Sequence, residues 1–423
     1  MLKEEIKDAY VSILEEELVL ATGCTEPIAM AYAAAKLREA LGMRPEKIYA
    51  EISGNIIKNV KSVVVPNTGG LRGIEAAVAA GIVAGKPDQK LQVIACVPEE
   101  VRPEIRAYIA DTPIEIACAH TPYLLDIMLT GWAGEHKAAV RIANNHTNLV
   151  FIEKDSQVIL KKEIAESSED GLTDKSLLNL GDILEFADTV ELSKVQEIIS
   201  RQIRYNTAIA KEGLANDWGA NIGSTLLDVY GDDVRVRARA WAAAGSDARM
   251  SGCEMPVVIN SGSGNQGMTT SLPVICYAEY LGKTEEELYR ALLVSNLVTV
   301  YQKAGIGRLS AYCGAISAGV GAGAAIAYLK GADYDGISHM IENAVAILSG
   351  TICDGAKPSC AAKIAEAVDA GILGYEMYVR GQNFKSGEGI VGRDIAETVR
   401  NVGILASEGM QGTDHTILKI MTS

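Results

Sequence analysis

Apolar and polar positions follow a helical period over most of this chain and a strand period in one region only. Near the start, apolar side chains recur at helical spacing at Ile6, Tyr10 and Leu14. The turn at residues 21–27 interrupts this pattern, and its Pro27 suits the first turn of a following helix. Residues 3–40 are therefore predicted to form one or two helices.

Between residues 47 and 161 the pattern changes to short strands with helical segments between them. The strand pattern occurs at residues 48–52, 60–65 and 91–97, and in hairpin form at 148–161. Helices are predicted at 73–85 and 99–110, between these strands. This alternation predicts a mixed α/β unit in the first half of the chain.

Residues 165–190 are polar and acidic and are predicted to be a linker, after which almost everything is helical. We therefore expect an α+β fold, in which residues 1–40 and 190–423 form a mostly helical bundle that holds the candidate chemistry. Residues 41–189 are expected to form a smaller mixed α/β domain, inserted near the N-terminus and ending in the acidic linker.

Composition restricts the class of partner and the compartment. Of the 423 residues 48% are hydrophobic and 22% charged, as in ordinary globular proteins. The net charge of −15 argues against nucleic acid and acidic membranes, which are polyanions. The start has no apolar signal-peptide core, and no apolar run is of transmembrane length. We expect a cytoplasmic protein, with no membrane partner, whose eight cysteines are reduced.

Three of those cysteines, Cys313, Cys353 and Cys360, lie in Ala/Gly-rich helical sequence near the C-terminus. Three thiolates are one short of the set that closes a tetrahedral metal or iron–sulfur site. Such a site keeps one position open for a substrate and so favours catalysis. The alternative is three ordinary buried thiols, because free cysteine is among the most buried residue types.

Residues 262–267 match the pattern G-x-G-x-x-G, which is typical of dinucleotide-binding loops. The helix predicted at 269–281 is followed by another helix at 284–302, where a strand ending in an acidic residue would be needed. The loop is better interpreted as an anion site at a helix N-terminus, which suits a substrate carboxylate. The alternative is a tight turn between helices. The candidate binding residues are Ser261, Gly262, Ser263, Gly264, Asn265 and Gln266.

Cys24 lies at a predicted loop–helix junction, in the sequence Thr-Gly-Cys-Thr-Glu-Pro. A helix N-terminus favours the thiolate form of a cysteine. From this position Cys24 could be a fourth ligand, a base, or a residue with no role in the site.

Residues 303–313 together with 350–360 resemble the α-domain of the iron–sulfur-dependent L-serine dehydratases. In that family a cysteine after a Gly-rich turn is followed, some forty residues later, by a second element with two cysteines. The segments at 23–27 and 261–267 are similar to the L-cysteine desulfidase branch. The resemblance extends from about residue 20 to the C-terminus.

The resemblance implies that Cys313, Cys353 and Cys360 hold a [4Fe–4S] cluster with one iron not ligated by the protein. It also implies that the loop at 261–267 holds the substrate carboxylate. Some bacterial members carry a C-terminal cysteine that reaches the fourth iron, and residues 409–423 contain none. Cys24 is then the candidate for that contact.

The implied reaction is α,β-elimination of L-cysteine to pyruvate, ammonia and hydrogen sulfide. Cys24 is the expected base, with Lys303 and Glu26 as weaker candidates. Three rivals remain open: L-serine dehydration on the same cluster, a non-catalytic iron–sulfur sensor or electron carrier, and a pyridoxal-phosphate lyase that uses Lys303. We further expect a homodimer with a small amino acid as its ligand.

Overall fold

The computed structural model describes residues 2–164, 172–307 and 310–422. The helices of these residues are α1 (Glu4–Glu17), α2 (Thr25–Leu41), α3 (Gly54–Val60), α4 (Gly73–Ala84), α5 (Arg102–Asp111), α6 (Leu180–Thr189), α7 (Gln196–Ala215), α8 (Ile222–Tyr230), α9 (Val234–Met250), α10 (Gly264–Tyr280), α11 (Glu285–Ile306), α12 (Gly314–Leu329), α13 (Tyr334–Leu348), α14 (Cys360–Val379), α15 (Ile395–Ile404) and α16 (Gln411–Thr422). A π-helical turn, Leu405–Gly409, separates α15 from α16.

The strands are β1 (Leu20–Thr22), β2 (Lys47–Ile52), β3 (Ile114–Cys118), β4 (Asp126–Ala133), β5 (His136–Ala143), β6 (Leu149–Lys154), β7 (Gln157–Lys161) and β8 (Pro256–Val258). Six of them form one sheet in the order β3-β2-β4-β5-β6-β7, in which only the β2–β3 pair is parallel. β1 and β8 form a separate antiparallel pair. The predicted α+β fold class, with most of the chain helical, is confirmed.

The smaller of the two main cores lies between the sheet and helices α2 and α4. Alternate residues of β2 are fully buried against these helices, namely Ile48, Ala50 and Ile52. The helices pack closely because their contact residues are small. A Cβ atom on Gly81 of α4 would lie 2.1 Å from the carbonyl oxygen of Ala31 in α2.

Two of the predicted strands are wrong. In the predicted strand at 60–65, Val60 is the last residue of α3, and Val64 forms only an isolated bridge to Arg72. Val60, Val63 and Val65 are fully buried, which explains their apolar character. Residues 91–97 pair with no strand of the described sheet, although Val93 and Ile94 are buried in its core. Burial therefore explains their apolar character. The strand at 48–52 and the hairpin at 148–161 are confirmed as β2 and β6–β7.

Two helices pack differently from the predicted division of the chain. α2 belongs to the sheet core, so the change from one core to the other falls near residues 22–25. α6 lies inside the predicted linker, yet its residues Ile183 and Phe186 are fully buried in the larger, helical core. The rest of the predicted linker includes residues 165–171, which lie outside the described residues.

Helices α10, α11, α12 and α14 are neighbours in the helical core. α12 and α14 cross closely at paired small residues. A Cβ atom on Gly323 would lie 2.8 Å from the Cα of Gly371, and one on Gly319 would lie 2.4 Å from the backbone of Ala367. This close crossing fixes the relative position of the two helix starts, where Cys313 and Cys360 lie.

Replacing Gly323 by Ala should force α12 and α14 apart, because the added methyl group would meet backbone atoms that cannot move alone. We expect the free energy of unfolding to fall by about 1–3 kcal/mol, the usual range for overpacking, measured by urea denaturation. The control is Gly412→Ala in α16, where nothing lies within 4 Å of the added atom. Equal effects of the two substitutions would contradict the importance of the crossing.

Candidate active site

Four helices begin at one cavity of about 780 Å³, here called the central cavity. Residues from the first turns of α2, α10, α12 and α14 line it. Helix N-termini carry partial positive charge and unpaired amide groups, so their convergence favours anions. Its lining residues are Cys24, Thr25, Glu26, Asn59, Arg249, Met250, Ser263, Asn265, Gln266, Lys303, Ser310, Tyr312, Cys313, Gly314, Ala315, Cys353, Gly355, Ala356, Cys360 and Ile364.

Cys313 and Cys353 are held side by side by a short antiparallel bridge between their chain segments. The Cys313 amide donates to the Thr351 carbonyl at 3.1 Å, and the Cys353 amide donates to the Ala311 carbonyl at 2.7 Å. The backbone therefore sets their spacing, although 40 residues separate them along the chain. Both side chains line the central cavity.

Cys360 reaches the same cavity because the loop after Cys353 curls tightly. Gly355 has a φ of +94°, and a Cβ atom there would lie 2.4 Å from the Lys58 carbonyl oxygen of α3. The Cys360 thiol lies 3.7 Å from the Gly355 carbonyl oxygen, to which it can donate. Only glycine fits this turn without strain.

Two ammonium groups stiffen the same loop from its outer side. The Lys363 ammonium donates to the Asp354 carboxylate at 2.6 Å, and Lys357 forms an ion pair with the same oxygen. Although burial opposes them, these two lysines lower the pKa of Asp354 to about 2. The loop therefore keeps its ion pairs at all ordinary pH values.

Burial disfavours the thiolate form of Cys313 and Cys360. It raises the pKa of the Cys313 thiol to about 12, helped by the neighbouring Cys353, and it also raises the pKa of Cys360. In the part of the chain that is described, no three His, Cys, Asp or Glu side chains are grouped closely enough to hold a single metal ion. All eight cysteines are free thiols, as predicted.

Cys24 is the N-cap residue of α2 and only 1% exposed. Its sulfur lies 3.9 Å from the Met250 sulfur of α9. Burial raises the pKa of this thiol to about 12, an effect that the positive charge of Arg249 opposes only in part. Burial therefore opposes the thiolate form that the start of α2 favours.

Glu26 and Lys303, the two weaker candidates for the base, also line the central cavity. The Glu26 carboxylate accepts hydrogen bonds from the Thr25 hydroxyl at 3.0 Å and from the Asn59 amide at 3.2 Å. Lys303 lies in the last turn of α11 and is 6% exposed. The structure thus brings every predicted catalytic residue to one cavity, and their roles stay predictions.

The predicted substrate-binding loop divides into two halves. Ser263, Asn265 and Gln266 line the central cavity at the start of α10. Gln266 is 6% exposed, and its side-chain oxygen has no hydrogen-bond partner among the described atoms. This half of the loop can contact a ligand.

The other half, Ser261, Gly262 and Gly264, does not line the central cavity, and its contact with substrate stays a prediction. The Ser261 hydroxyl donates to the Asn260 side-chain oxygen at 2.8 Å. The Gly262 carbonyl accepts from the Thr25 hydroxyl at 3.0 Å. Positive φ angles of 48° at Ser261 and 79° at Gly262 make the turn into α10. These residues shape the loop.

A buried hydrogen-bond network centred on Asn296 of α11 supports the loop at residues 261–267. The Asn296 side-chain oxygen accepts from Gln202, Asn260 and Thr270 at 3.0, 3.0 and 3.2 Å. Its amide donates back to the Gln202 side-chain oxygen at 2.8 Å. These four residues and Ser261 form what we call the Asn296 network, which ties the loop to α7, α10 and α11.

One part of the wall of the central cavity comes from α3, a helix of the sheet core. α3 supplies Asn59, and the buried ammonium of Lys58 in the same helix forms an ion pair with Asp414 of α16. A Cβ atom on Gly54 would lie 2.4 Å from Leu418, so α16 lies directly on α3. The C-terminal helix thus attaches α3 to the helical core.

Sequence reasoning missed Arg249, which lies at the end of α9 and lines the central cavity. It is 3% exposed, and one of its terminal nitrogens donates to the Asn265 side-chain oxygen at 3.2 Å. The available signal was its context, since residues 242–250 are otherwise mostly small and apolar. A lone arginine in such a segment is costly to bury and so indicates a function.

The chain belongs to the serine dehydratase alpha-chain family, because a model of that family matches residues 88–419. The resemblance deduced from the cysteine motifs is therefore confirmed. The matched range includes Cys313, Cys353, Cys360 and Lys303, whereas Cys24 precedes it. Membership of this family supports a lyase-type function.

Relatives similar over nearly their whole length occur in several organisms. UPF0597 protein DSY1109 of Desulfitobacterium hafniense (strain Y51) is 57% identical over 412 residues, which cover 97% of this chain and 96% of the relative. A UPF0597 protein of Lachnoclostridium phytofermentans is 52% identical over 411 residues, covering 97% and 98%. Across the described residues, none of the helices is both long and apolar enough to cross a membrane.

Replacing Asn296 by Ala should leave Gln202, Asn260 and Thr270 without their shared partner. We expect the free energy of unfolding to fall by about 3 kcal/mol or more, since each buried polar group left unsatisfied costs about 1–3 kcal/mol. Urea denaturation measures this, with Asn401→Ala as the control, because the Asn401 amide makes a single bond to the Ile390 carbonyl. A loss no greater than that of the control would contradict the supporting role of the network.

Proposed function

We propose that this protein is an iron–sulfur-dependent lyase that catalyses α,β-elimination of a small L-amino acid, with L-cysteine as the substrate. The observation that carries the proposal is the set of three thiols, from two helix starts and one loop, that lines the same cavity as Cys24. Family membership supports the lyase class. The products are pyruvate, ammonia and hydrogen sulfide.

The residues present fit a [4Fe–4S] cluster held by Cys313, Cys353 and Cys360. Their thiols face a common cavity, where a metal cation would supply the positive charge that thiolates require. The ligands of a cluster bind different iron atoms and therefore stand farther apart than the ligands of one ion. Three thiols that line one cavity suit a cluster with one iron not ligated by the protein.

When bound, the cluster supplies a Lewis-acidic iron with one position not ligated by the protein. The chain's own residues then have separate tasks. The first turn of α10, with Ser263 and Asn265, binds the substrate carboxylate. Cys24, buried at the start of α2, takes the proton from Cα.

The remaining bond changes follow from that proton transfer. As the Cα–H electron pair forms the Cα–Cβ double bond, the Cβ–S bond breaks and hydrosulfide leaves. The resulting aminoacrylate takes up water outside the site and gives pyruvate and ammonia. Cys24 must be a thiolate for this step, and burial in the unloaded protein disfavours that form. The partial positive charge at the start of α2 favours the thiolate and opposes this effect of burial.

A second candidate is dehydration of L-serine, in which hydroxide leaves Cβ instead of hydrosulfide. The name of the matched family favours it. The apolar part of the cavity wall favours a thiol, because Met250, Ala315 and Ile364 offer a hydroxyl no hydrogen bond, and a thiol needs none. Comparing kcat/KM for L-cysteine and L-serine on anaerobically reconstituted protein separates the two, and we expect L-cysteine to be the better substrate.

Substituting Ala for Cys313, Cys353 or Cys360 should each remove a ligand and abolish retention of the cluster. The measurement is iron and sulfide content after anaerobic reconstitution, together with the broad cluster absorbance. The control is Cys276→Ala, which removes a buried thiol of α10 that does not line the cavity. Iron bound equally by all four variants would reject the ligand set, and absorbance typical of a Schiff base would indicate a pyridoxal-phosphate enzyme.

Replacing Cys24 by Ala should leave the iron and sulfide content unchanged while pyruvate formation falls by about 10²–10⁴-fold, the usual contribution of a general base. An unchanged rate would show that Cys24 is not the base. Loss of iron would instead show that Cys24 is a fourth ligand. A four-cysteine cluster without any lyase activity would favour the non-catalytic sensor or carrier.

A further inference from the structure

Arg249 is a buried cation in the wall of the central cavity, and the mechanism above does not use it. The residue is 3% exposed and follows a run of small, buried residues in α9. Most charged side chains in this protein reach solvent or a carboxylate. The buried Lys58, for example, has Asp414 as its counter-ion.

Among the described residues, the guanidinium of Arg249 has no such partner. No carboxylate of the described chain lies within 4.0 Å of it, and its Nε makes no hydrogen bond. Within the described chain, its side chain donates a hydrogen bond to the neutral side chain of Asn265 at 3.2 Å. Burying an unpaired charge in a protein costs roughly several kcal/mol of desolvation free energy. An anion that enters the cavity would pair with the Arg249 guanidinium and offset the cost of burying its charge.

The neighbouring start of α10 is shaped to let the guanidinium approach. A Cβ atom on Gly264 would lie 2.4 Å from the Arg249 Nε and 2.8 Å from its Cζ. Only the absence of a side chain at this position allows the contact. The guanidinium thus lies against the first turn of a helix, whose amides also favour an anion.

We propose that Arg249 is the residue that binds the substrate α-carboxylate, acting together with the first turn of α10. This inference rests on the proposed function and assigns its substrate-recognition step to one side chain. A planar guanidinium can donate two parallel hydrogen bonds to a carboxylate, which a lysine ammonium cannot. Arg249 then selects for carboxylate-bearing ligands over amines of the same size.

Two other anions, the Cys24 thiolate and an iron–sulfur cluster, could pair with the Arg249 guanidinium. Each alternative predicts a different experimental result. Cys24 and Arg249 line the same cavity, and the charge of Arg249 acts on the Cys24 thiol. A role for Arg249 in holding the Cys24 thiolate would alter turnover without altering ligand affinity. A role in balancing the charge of an iron–sulfur cluster would alter iron retention.

The experiment compares two thiols that cannot give pyruvate, 3-mercaptopropionate and cysteamine. The first keeps the carboxylate of cysteine and lacks the amine, while the second keeps the amine and lacks the carboxylate. Binding to anaerobically reconstituted protein is measured by calorimetry and by the change in absorbance. The variants are Arg249→Lys and Arg249→Gln, with Arg237→Gln on the same helix as the control, because Arg237 pairs with Asp232 away from the cavity.

We expect both Arg249 variants to bind 3-mercaptopropionate about 10- to 100-fold more weakly than the unaltered protein, as for a lost hydrogen bond to a charged group. Their affinity for cysteamine and their iron content should stay the same, and the control should match the unaltered protein. With L-cysteine as substrate, KM should rise more than kcat falls. Arg249→Lys keeps the charge and most of the volume, so it tests the geometry of the contact without removing a cation.

Equal weakening of both ligands, unchanged affinity for 3-mercaptopropionate, or loss of iron in Arg249→Lys would each overturn the inference. The proposed function can fail separately, because binding is measured without turnover. If the unaltered protein made no pyruvate but bound 3-mercaptopropionate through Arg249, the reaction would be wrong and the carboxylate site would stand.

Discussion

The central constraint of this structure is the meeting of four helix N-termini at one cavity. Helices α2, α10, α12 and α14 direct their positive ends to the same small volume, and the guanidinium of Arg249 adds a full charge beside them. Like charges brought together in a partly dry site repel one another. Negative charge that enters the cavity therefore stabilises the arrangement of these helices. Thiolates and a carboxylate are the anions that the lining residues are suited to receive.

The rest of the fold can be understood as the support for that meeting point. Close glycine contacts hold α12 against α14, and so set the distance between the segments that carry Cys313 and Cys360. The Asn296 network holds the turn that begins α10. Steric contact holds α12 against α14, whereas hydrogen bonds hold the turn that begins α10. Both fix backbone positions, so the side chains that face the cavity need little support of their own.

Local features of this protein could be predicted from sequence, and features that depend on distant neighbours could not. Cys24 and the turn at 261–263 lie at helix starts, which capping and glycine patterns indicate within a few residues. Val93 and Ile94 look like a strand, but a strand needs a partner, and the sheet offers none to them. The unpaired state of Arg249 is likewise a property of what lies around it. No spacing rule places an arginine of α9 beside Gly264.

The central cavity has walls from both cores of the protein, and this affects the order in which the molecule can be completed. Cys24 and Asn59 belong to the first 60 residues, whereas the three clustered cysteines come after residue 312. During synthesis the early wall is made long before the late one, and α16, which holds α3 in its position, is made later still. A cofactor that needs all three thiols can therefore enter only after Cys360 has been made. Cofactor insertion in this protein would be a late event that follows folding of the C-terminal third.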